Sequence, residues 1–215
     1  MKKILAMILA ATLLCTASCV WAEDGEEYAW SMPGEKHITE LLPPVKEIRN
    51  EEEAWAYAEE LWALLSDKPL PDGESDLLVD RHDNSYHYDI CDMDGRELYT
   101  VSFLSTGVIQ QIGYDDQDER RYTDSVRLET GDLEAELLEN AGKQVEARVE
   151  QIAPGILELV EPLIVDQIID VGDKKYMYFY AMPLDPDYDS CVYVIAVLYE
   201  DGGCELMDFS CYGAG

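Results

Sequence analysis

A spacing pattern that occurs twice constrains the fold of this chain more than any other feature. Each copy has an aliphatic residue, two aspartates and two tyrosines at the same intervals: Val79, Asp80, Asp83, Tyr86 and Tyr88, then 90 residues later Ile169, Asp170, Asp173, Tyr176 and Tyr178. A second set of landmarks recurs after 96 residues: Val101, Phe103 and Gly107, then Val197, Tyr199 and Gly203. Self-similarity at a fixed spacing is typical of duplicated architectures. We therefore expect two copies of one structural unit, with six extra residues in the second.

The residues around these landmarks predict one helix and four short strands in each copy. Apolar residues recur at helical spacing over residues 51–66, after a potential cap at Asn50, and again over residues 132–152. Segments with a period of two follow each helix and predict strands at 76–80, 85–91, 97–105 and 107–113, then at 157–170, 174–182, 191–200 and 204–211. The expected fold class is α+β, with two tandem units that each pack a helix on a small antiparallel sheet of about four strands.

The amino terminus predicts export. Lys2 and Lys3 precede an apolar stretch, and the segment ends in a small residue, Ala22, as in a secretory signal. We expect cleavage after Ala22 and a secreted or extracytoplasmic protein. The alternative is a lipoprotein anchored at Cys19, because residues 16–19 resemble a lipobox, although Thr16 stands where that motif has leucine. Only the lipid-anchored form would associate with a membrane.

The expected domain organisation follows the two copies. Residues 1–22 are the signal peptide and residues 23–49, rich in acids and prolines, a flexible lead-in. The remaining boundaries are 50–114 for the first unit, 115–131 for a linker and 132–215 for the second unit.

The charge of the chain restricts its partners. The formal net charge is −31, and removal of a signal with two lysines makes it more negative. Such a chain repels nucleic acid and anionic lipid. Acidity alone leaves open a solvating surface, a cationic partner or divalent ions. The alternating acids Asp185, Asp187 and Asp189 resemble a calcium loop, but Ser190 and Ala196 replace its required glycine and glutamate.

No catalytic signature is present in the sequence. The chain has no nucleophile-elbow, zinc-protease or phosphate-loop motif. We therefore predict a protein that is not an enzyme and that needs no cofactor. Four cysteines remain after the expected cleavage, and the turn at Gly202-Gly203 brings Cys211 nearly opposite Cys191. A disulfide between Cys191 and Cys211 is predicted if the strand register allows it.

The second unit is expected to carry the partner-binding surface. Its strands are apolar on both faces, whereas a sheet with one helix layer needs a single apolar face. Burial against the first unit is the favoured use of the second face, and a dimer partner or a ligand is the alternative. The candidate partner-binding residues on that face are Met177, Phe179, Val192, Val194 and Leu198.

Two segments of the first unit resemble a known family. Asn50-Glu51-Glu52-Glu53-Ala54-x-x-x-Ala58 and Tyr99-x-Val101-x-Phe103-x-x-Thr106-Gly107-x-Ile109 resemble the PepSY-type domain, which has an acid-started helix with two alanines and strands that close on a Thr-Gly turn. The likeness covers residues 50–114. The second unit departs from the pattern, with Gln144 and Arg148 at the alanine positions and Gly202-Gly203 in place of Thr-Gly.

Two such units in tandem are also similar in layout to beta-lactamase inhibitor protein. The resemblance implies a non-enzymatic module, in some cases one that holds or inhibits a peptidase or another extracellular enzyme through its sheet. Our leading hypothesis is an exported binding module for a protein or peptide in the cell envelope. The runner-up is an acidic structural or cation-binding envelope protein. The oligomeric state is not predicted.

Overall fold

One antiparallel sheet of nine strands forms the framework of the molecule, with strand order β1-β2-β3-β4-β9-β8-β7-β6-β5. The structure is a computed structural model that describes residues 36–65, 74–80, 85–91, 97–116, 118–188 and 190–213. Side chains are not described for residues 74–80, 89–91, 97–98 and 212–213. All described residues belong to one compact unit.

The elements alternate between helices and runs of strands. The helices are α1 (Glu51–Leu65), α2 (Arg120–Thr123) and α3 (Ala135–Ile152). The strands are β1 (Glu74–Asp80), β2 (Ser85–Cys91), β3 (Glu97–Leu104), β4 (Ile109–Tyr114), β5 (Val126–Leu128), β6 (Ile164–Asp170), β7 (Lys174–Ala181), β8 (Ser190–Tyr199) and β9 (Cys204–Gly213). Short 3-10 turns lie at Ile38–Leu41, Thr130–Asp132 and Ile156–Glu158.

The predicted fold of two units with separate small sheets is wrong. β4 and β9 pair in antiparallel register through Gln111↔Ser210, Ile112↔Phe209 and Gly113↔Asp208, which makes one continuous sheet. An unpaired β4 or β9 would leave a row of backbone donors and acceptors without partners beside a buried apolar residue. Pairing the two edges satisfies those groups and buries Ile112 and Phe209 in one core.

The local elements, in contrast, follow the predicted periodicity. Both long helices and seven of the strands lie within a few residues of the predicted bounds, and an eighth, β6, ends where predicted. Two elements were missed, namely the short strand β5 and the single-turn helix α2. The strand predicted over residues 157–170 begins only at Ile164, because a 3-10 turn and irregular backbone occupy the residues before it.

The amino terminus of α1 is fixed by hydrogen bonds that its sequence supplies. The Glu53 backbone N–H donates to Asn50 Oδ1 at 3.0 Å, and the Glu53 carboxylate accepts from the Arg49 backbone N–H at 3.0 Å. The first bond satisfies a donor that a helix start leaves unpaired, and the second ties the residue before the cap to the first turn. In α3, one apolar stripe at intervals of three or four residues is buried against the sheet: Ala141, Val145, Val149 and Ile152. None of the described helices is long and apolar enough to cross a membrane.

Among the described residues, α1 and α3 lie on the same face of the sheet, and their contacts differ in chemistry. Helix α1 packs through edge-to-face aromatic pairs, with ring centroids 5.4 Å apart for Trp55–Tyr88, 5.0 Å for Tyr57–Phe103 and 4.6 Å for Trp62–Tyr99. Beneath α3 the core is largely aliphatic, and its buried strand residues include Met177, Ala181, Val192, Val194, Ala196 and Leu198.

The repeated spacing does not place its matched residues at equivalent positions. Tyr88 is buried on the helix side, in edge-to-face contact with Trp55. Its match Tyr178 lies between the core residues Met177 and Phe179 and therefore points to the other face, since side chains alternate along a strand. Val101 and its match Val197 are separated in the same way. The alignment of the two copies at a spacing of 90 residues is therefore shifted from the structural match by an odd number of residues. Because β7 is apolar on both faces, its sequence does not define the register.

Candidate binding face

The sheet face turned away from α1 and α3, here called the open face, is built from cross-strand rows. One row runs over six strands in register: Thr100, Gly113, Asp208, Ile195, Tyr178 and Gln167. The neighbouring row contains Ser102, Gln111, Ser210, Tyr193 and Tyr180. The first half of the sheet thus contributes small and polar residues to this face, and the second half contributes mainly tyrosines and an isoleucine.

The connection between β4 and β5, described at residues 115–116 and 118–125, crosses one end of the open face; we call it the crossing segment. It joins the middle of the sheet to its far edge. Lys174, the first residue of β7, holds it by donating to Asp116 at 2.6 Å and by pairing with Asp118 at 3.1 Å. The hydroxyl of Tyr176 also donates to Asp116. These contacts fix the segment over the beginning of β7.

Arg121 is the most buried charged group of the crossing segment, with 4% of its side chain exposed. Its guanidinium lies 4.7 Å from the centre of the Tyr176 ring, and its Nη2 donates to Asp115 at 2.7 Å. Asp116 lies 3.6 Å from the same nitrogen. A cation over a tyrosine ring with carboxylates beside it is attracted by both. These attractions offset part of the free-energy cost of removing the guanidinium from water.

The carboxylates that hold the crossing segment are favoured in their charged form. Burial alone would raise the pKa of Asp116, but hydrogen bonds from Lys174 and Tyr176 outweigh it and hold the pKa below its usual range. Hydrogen bonds from Arg120 hold the pKa of Asp118 far below its usual range. The segment is therefore attached by ionised groups at neutral pH.

Under the crossing segment, the open face carries a small buried cluster: Val171, Tyr176, Val197 and Met207. Met207 reaches this cluster because an irregularity in the β8–β9 register, at Ile195/Ala196, leaves it as an extra residue on β9. This end of the open face is closed. Beyond it, four apolar or aromatic side chains of the open face are half-buried: Tyr178, Tyr180, Tyr193 and Ile195.

The half-buried tyrosines lie beside carboxylates. The rings of Tyr178 and Tyr193 are 6.3 Å apart. Burial, followed by the effects of Tyr178, Asp208 and Asp166, raises the pKa of Tyr193 to about 12. Asp166 lies at the bulge between Val165 and Gln167, so it takes no place in the strand pairing. The tyrosines therefore remain neutral at physiological pH within a negative field.

A cavity of about 250 Å³ opens between the two halves of the open face. Gly113 creates it, because the row from Thr100 to Ile195 lacks a side chain at this position. A Cβ at Gly113 would lie 2.1 Å from a carboxylate oxygen of Asp208, so that carboxylate occupies part of the gap. The cavity lining includes Thr100, Gln111, Gly113, Arg121, Met207 and Asp208.

The structure places the predicted partner-binding residues in the core. Met177, Phe179, Val192, Val194 and Leu198 lie together on the helix side, each at most 2% exposed. They do not form an accessible surface in the folded chain. The residues that do reach the open face alternate with them along β7 and β8. The sequence signal for these open-face residues was that β7 and β8 are apolar on both faces. The repeat alignment, however, assigned the open-face residues to the helix side.

The predicted disulfide is not formed in the structure. Cys191 pairs with Tyr212, and Cys211 pairs with Val192, so the two cysteines point to opposite faces of the sheet. Both thiols are free, as is that of Cys204. Burial raises the pKa of Cys204 to about 11 and that of Cys211 further. These thiols are therefore protonated and weakly nucleophilic at neutral pH.

The part of the chain that the structure describes contains no group of three or more His, Cys, Asp or Glu side chains that could hold a metal ion. In the loop proposed as a calcium-loop analogue, the Asp185 carboxylate accepts from the Asp187 backbone N–H at 3.0 Å, and Asp189 lies outside the described residues.

Comparison of the chain with protein-family models, curated proteins and solved structures finds no match. The resemblance of residues 50–114 to the PepSY-type domain therefore stays a prediction.

Proposed function

We propose that this chain is a non-enzymatic binding protein that holds a basic segment of another protein on the part of its open face that lies beyond the crossing segment. One observation carries the proposal: half-buried tyrosines, Tyr178 and Tyr193, lie beside the carboxylates Asp166 and Asp208 on a face that the two long helices leave uncovered. Tyrosine contributes a rigid apolar surface with a polar end, which suits it to interfaces.

The charge of the partner follows from the charges around these rings. The chain has a formal net charge of −31, so a cationic segment is attracted over a long range. The molecule itself contains an example of the contact that we expect with the partner, an arginine over a tyrosine ring beside carboxylates. Arg121 lies over Tyr176 with Asp115 and Asp116 beside it. A partner's arginine over Tyr193 would have the same two kinds of neighbour, a ring and carboxylates.

The predicted signal peptide supports an extracytoplasmic partner. The resemblance to PepSY-type domains adds one class of partner, a peptidase or another extracellular enzyme that the chain holds or inhibits. Such a partner would present a basic surface segment to the open face.

A direct binding measurement tests the proposal. The probe is a fluorescent peptide of alternating arginine and glycine, with a glutamate-for-arginine peptide as its control, at about 0.15 M salt so that diffuse attraction is screened. We expect saturable binding of the basic peptide. Tyr193→Ala should weaken it about tenfold, or ~1.4 kcal/mol, since the ring supplies both contact area and a cation–π interaction.

Matched variants distinguish binding at the open face from a general attraction of the basic peptide to an acidic protein. Tyr188→Ala changes a tyrosine in the β7–β8 loop, and Asp187→Asn removes a charge there, whereas Asp166→Asn removes a charge beside Tyr193. The loop variants should bind as the wild type does, and Asp166→Asn should bind more weakly. Equal effects at the loop and at the open face, in variants that remain folded by circular dichroism, would refute the proposal.

A further inference from the structure

The cavity at Gly113 has carboxylates that a bound group can reach. Asp115 lines the cavity with 47% of its side chain exposed. Asp208 is half-buried, and its carboxylate lies over Gly113, within the cavity lining. The third charged residue of the lining, Arg121, is 4% exposed and already donates to Asp115 at 2.7 Å. The accessible charge in this cavity is therefore negative.

The lining residues define the group that fits the cavity. Carboxylates attract a cation, and each carboxylate can accept several hydrogen bonds. A guanidinium offers a planar fork of donors, so an arginine can donate to a carboxylate and to the amide oxygen of the neighbouring Gln111 together. The methylene stem of the arginine would lie against Ile195, which is half-buried and also lines the cavity. The cavity is thus suited to an arginine side chain.

The strand register sets the distance between this cavity and Tyr193 on the open face. Tyr193 pairs with Ser210 on β9, and Ser210 pairs with Gln111 on β4, so the path crosses from β8 over β9 to β4. Gly113 lies two residues further along β4. With strands about 4.8 Å apart and a rise of about 3.4 Å per residue, Tyr193 and Gly113 are about 12 Å apart. An extended peptide covers about 13 Å in four residues and then presents a side chain on the same face.

We propose that the open face binds two arginines of one extended segment, spaced four residues apart, with one over Tyr193 and the other in the cavity at Gly113. The arginine over Tyr193 lies beside Asp166, and the arginine in the cavity donates to Asp115 and Asp208. This inference rests on the proposed function and names the sequence spacing that the face selects. A segment with this spacing makes both contacts in one conformation, because the second contact is favoured most when the linker matches the span.

A peptide series of constant composition tests the spacing. Each peptide carries two arginines among serines and glycines, and the second arginine follows the first by one, four or eight positions. We expect the spacing of four to bind at least about threefold more tightly than the other two, because a linker that is too short or too long lowers the effective concentration of the second arginine. A diffuse attraction to an acidic protein depends on net charge, so it would give equal affinities.

Matched variants locate the second arginine. Asp115→Asn removes a charge from the cavity and keeps an oxygen that can accept from Arg121, and in this variant the preference for the spacing of four should fall below about twofold. Asp124→Asn is the control, because Asp124 is exposed on the crossing segment and lies outside the cavity lining, and it should keep the wild-type preference. Circular dichroism checks that both variants are folded. Equal affinities at all spacings in the wild type, or a preference that persists in Asp115→Asn, would overturn the inference.

A measurement on the wild type serves if Asp115→Asn does not fold. The amide signal of Gly113 is followed by NMR while the peptide with the spacing of four is titrated into the full chain. A saturable shift supports binding in the cavity, and a signal that does not shift overturns it. If the three peptides bind equally and Tyr193→Ala still weakens them, the second arginine site is refuted alone. If none of the peptides binds, the proposed function is wrong as well.

Discussion

The two halves of the sheet place the tyrosines of their described strands on opposite faces. In the half made by β1 to β4, Tyr88 and Phe103 pack beneath α1, and the open face carries polar residues such as Ser102. In the half made by β6 to β9, aliphatic side chains pack beneath α3, and the open face carries Tyr178 and Tyr193. The same order of elements thus supports two arrangements. In the second half, side chains without polar groups fill the helix side, and the tyrosines are available for the other face.

The largest expected effect tests whether the two cores are equally essential. Phe103→Ala and Phe179→Ala each remove a fully buried ring and should lower the free energy of unfolding by about 3–5 kcal/mol. Urea unfolding followed by circular dichroism measures both values. A cost below about 1 kcal/mol for Phe179→Ala would mean that the helix side of the second half is not the core described here.

The junction between the halves gives the next largest effect. Gly113→Ala places a Cβ 2.1 Å from the Asp208 carboxylate, which must move away, so we expect a loss of about 1–3 kcal/mol in unfolding free energy. Gly142→Ala in α3 is the control, because no atom lies within 4 Å of the added carbon. It should stabilise the protein by about 0.5–1 kcal/mol. Equal changes in thermal stability at both positions would contradict the close approach at the junction.

The crossing segment is held by Lys174 and Tyr176 of the second half, and its attachment depends on pH. The pKa of Asp116 is lowered on folding, so its contribution is present above its unfolded pKa of about 4 and is lost as the pH falls through the folded value. Asp116→Asn should cost about 1–2 kcal/mol at pH 7. The difference from wild type should shrink below pH ~4. Unfolding curves over this range measure it, and a difference that does not change with pH would show that the ion pairs are not responsible.

The smallest effect separates the two kinds of core directly. Phe103 contacts Tyr57 edge-to-face at 5.0 Å and stacks on Tyr86 at 5.7 Å, whereas Phe179 lies in the aliphatic core beneath α3. Phe103→Leu should therefore cost about 0.5–1.5 kcal/mol more than Phe179→Leu, since only the first substitution removes aromatic pairs. The same urea experiment compares them, and equal losses would mean that the aromatic geometry adds nothing to burial.

Local features of the fold could be predicted from the sequence, whereas their arrangement could not. The capped start of α1 and the period of two in β7 and β8 depend on neighbouring residues, and both were found. The pairing of β4 with β9 joins residues far apart in sequence, and no local pattern specifies it. The register of β7 was assigned from its match to β2, which failed because Tyr176 and Met177 are equally suited to a buried face.

The candidate site was harder to predict for the same reason. Its tyrosines were visible as the second apolar face of β7 and β8, but which face lay under the helix depended on the register. The cavity depends on Gly113, Thr100 and Arg121, which lie on different strands and on the crossing segment. Arg121 gave no sequence signal, since its contacts with Asp115 and Tyr176 arise only when the crossing segment lies on the sheet.

The pairing of β4 with β9 has a consequence for the order in which the chain is made. During synthesis residues 111–113 leave the ribosome long before residues 208–210, their partners in the finished sheet. Until β9 follows, β4 is an edge strand with Ile112 beside it, open to pairing with another nascent chain. The order of synthesis thus makes the middle of the finished sheet, rather than its rim, the last part to close.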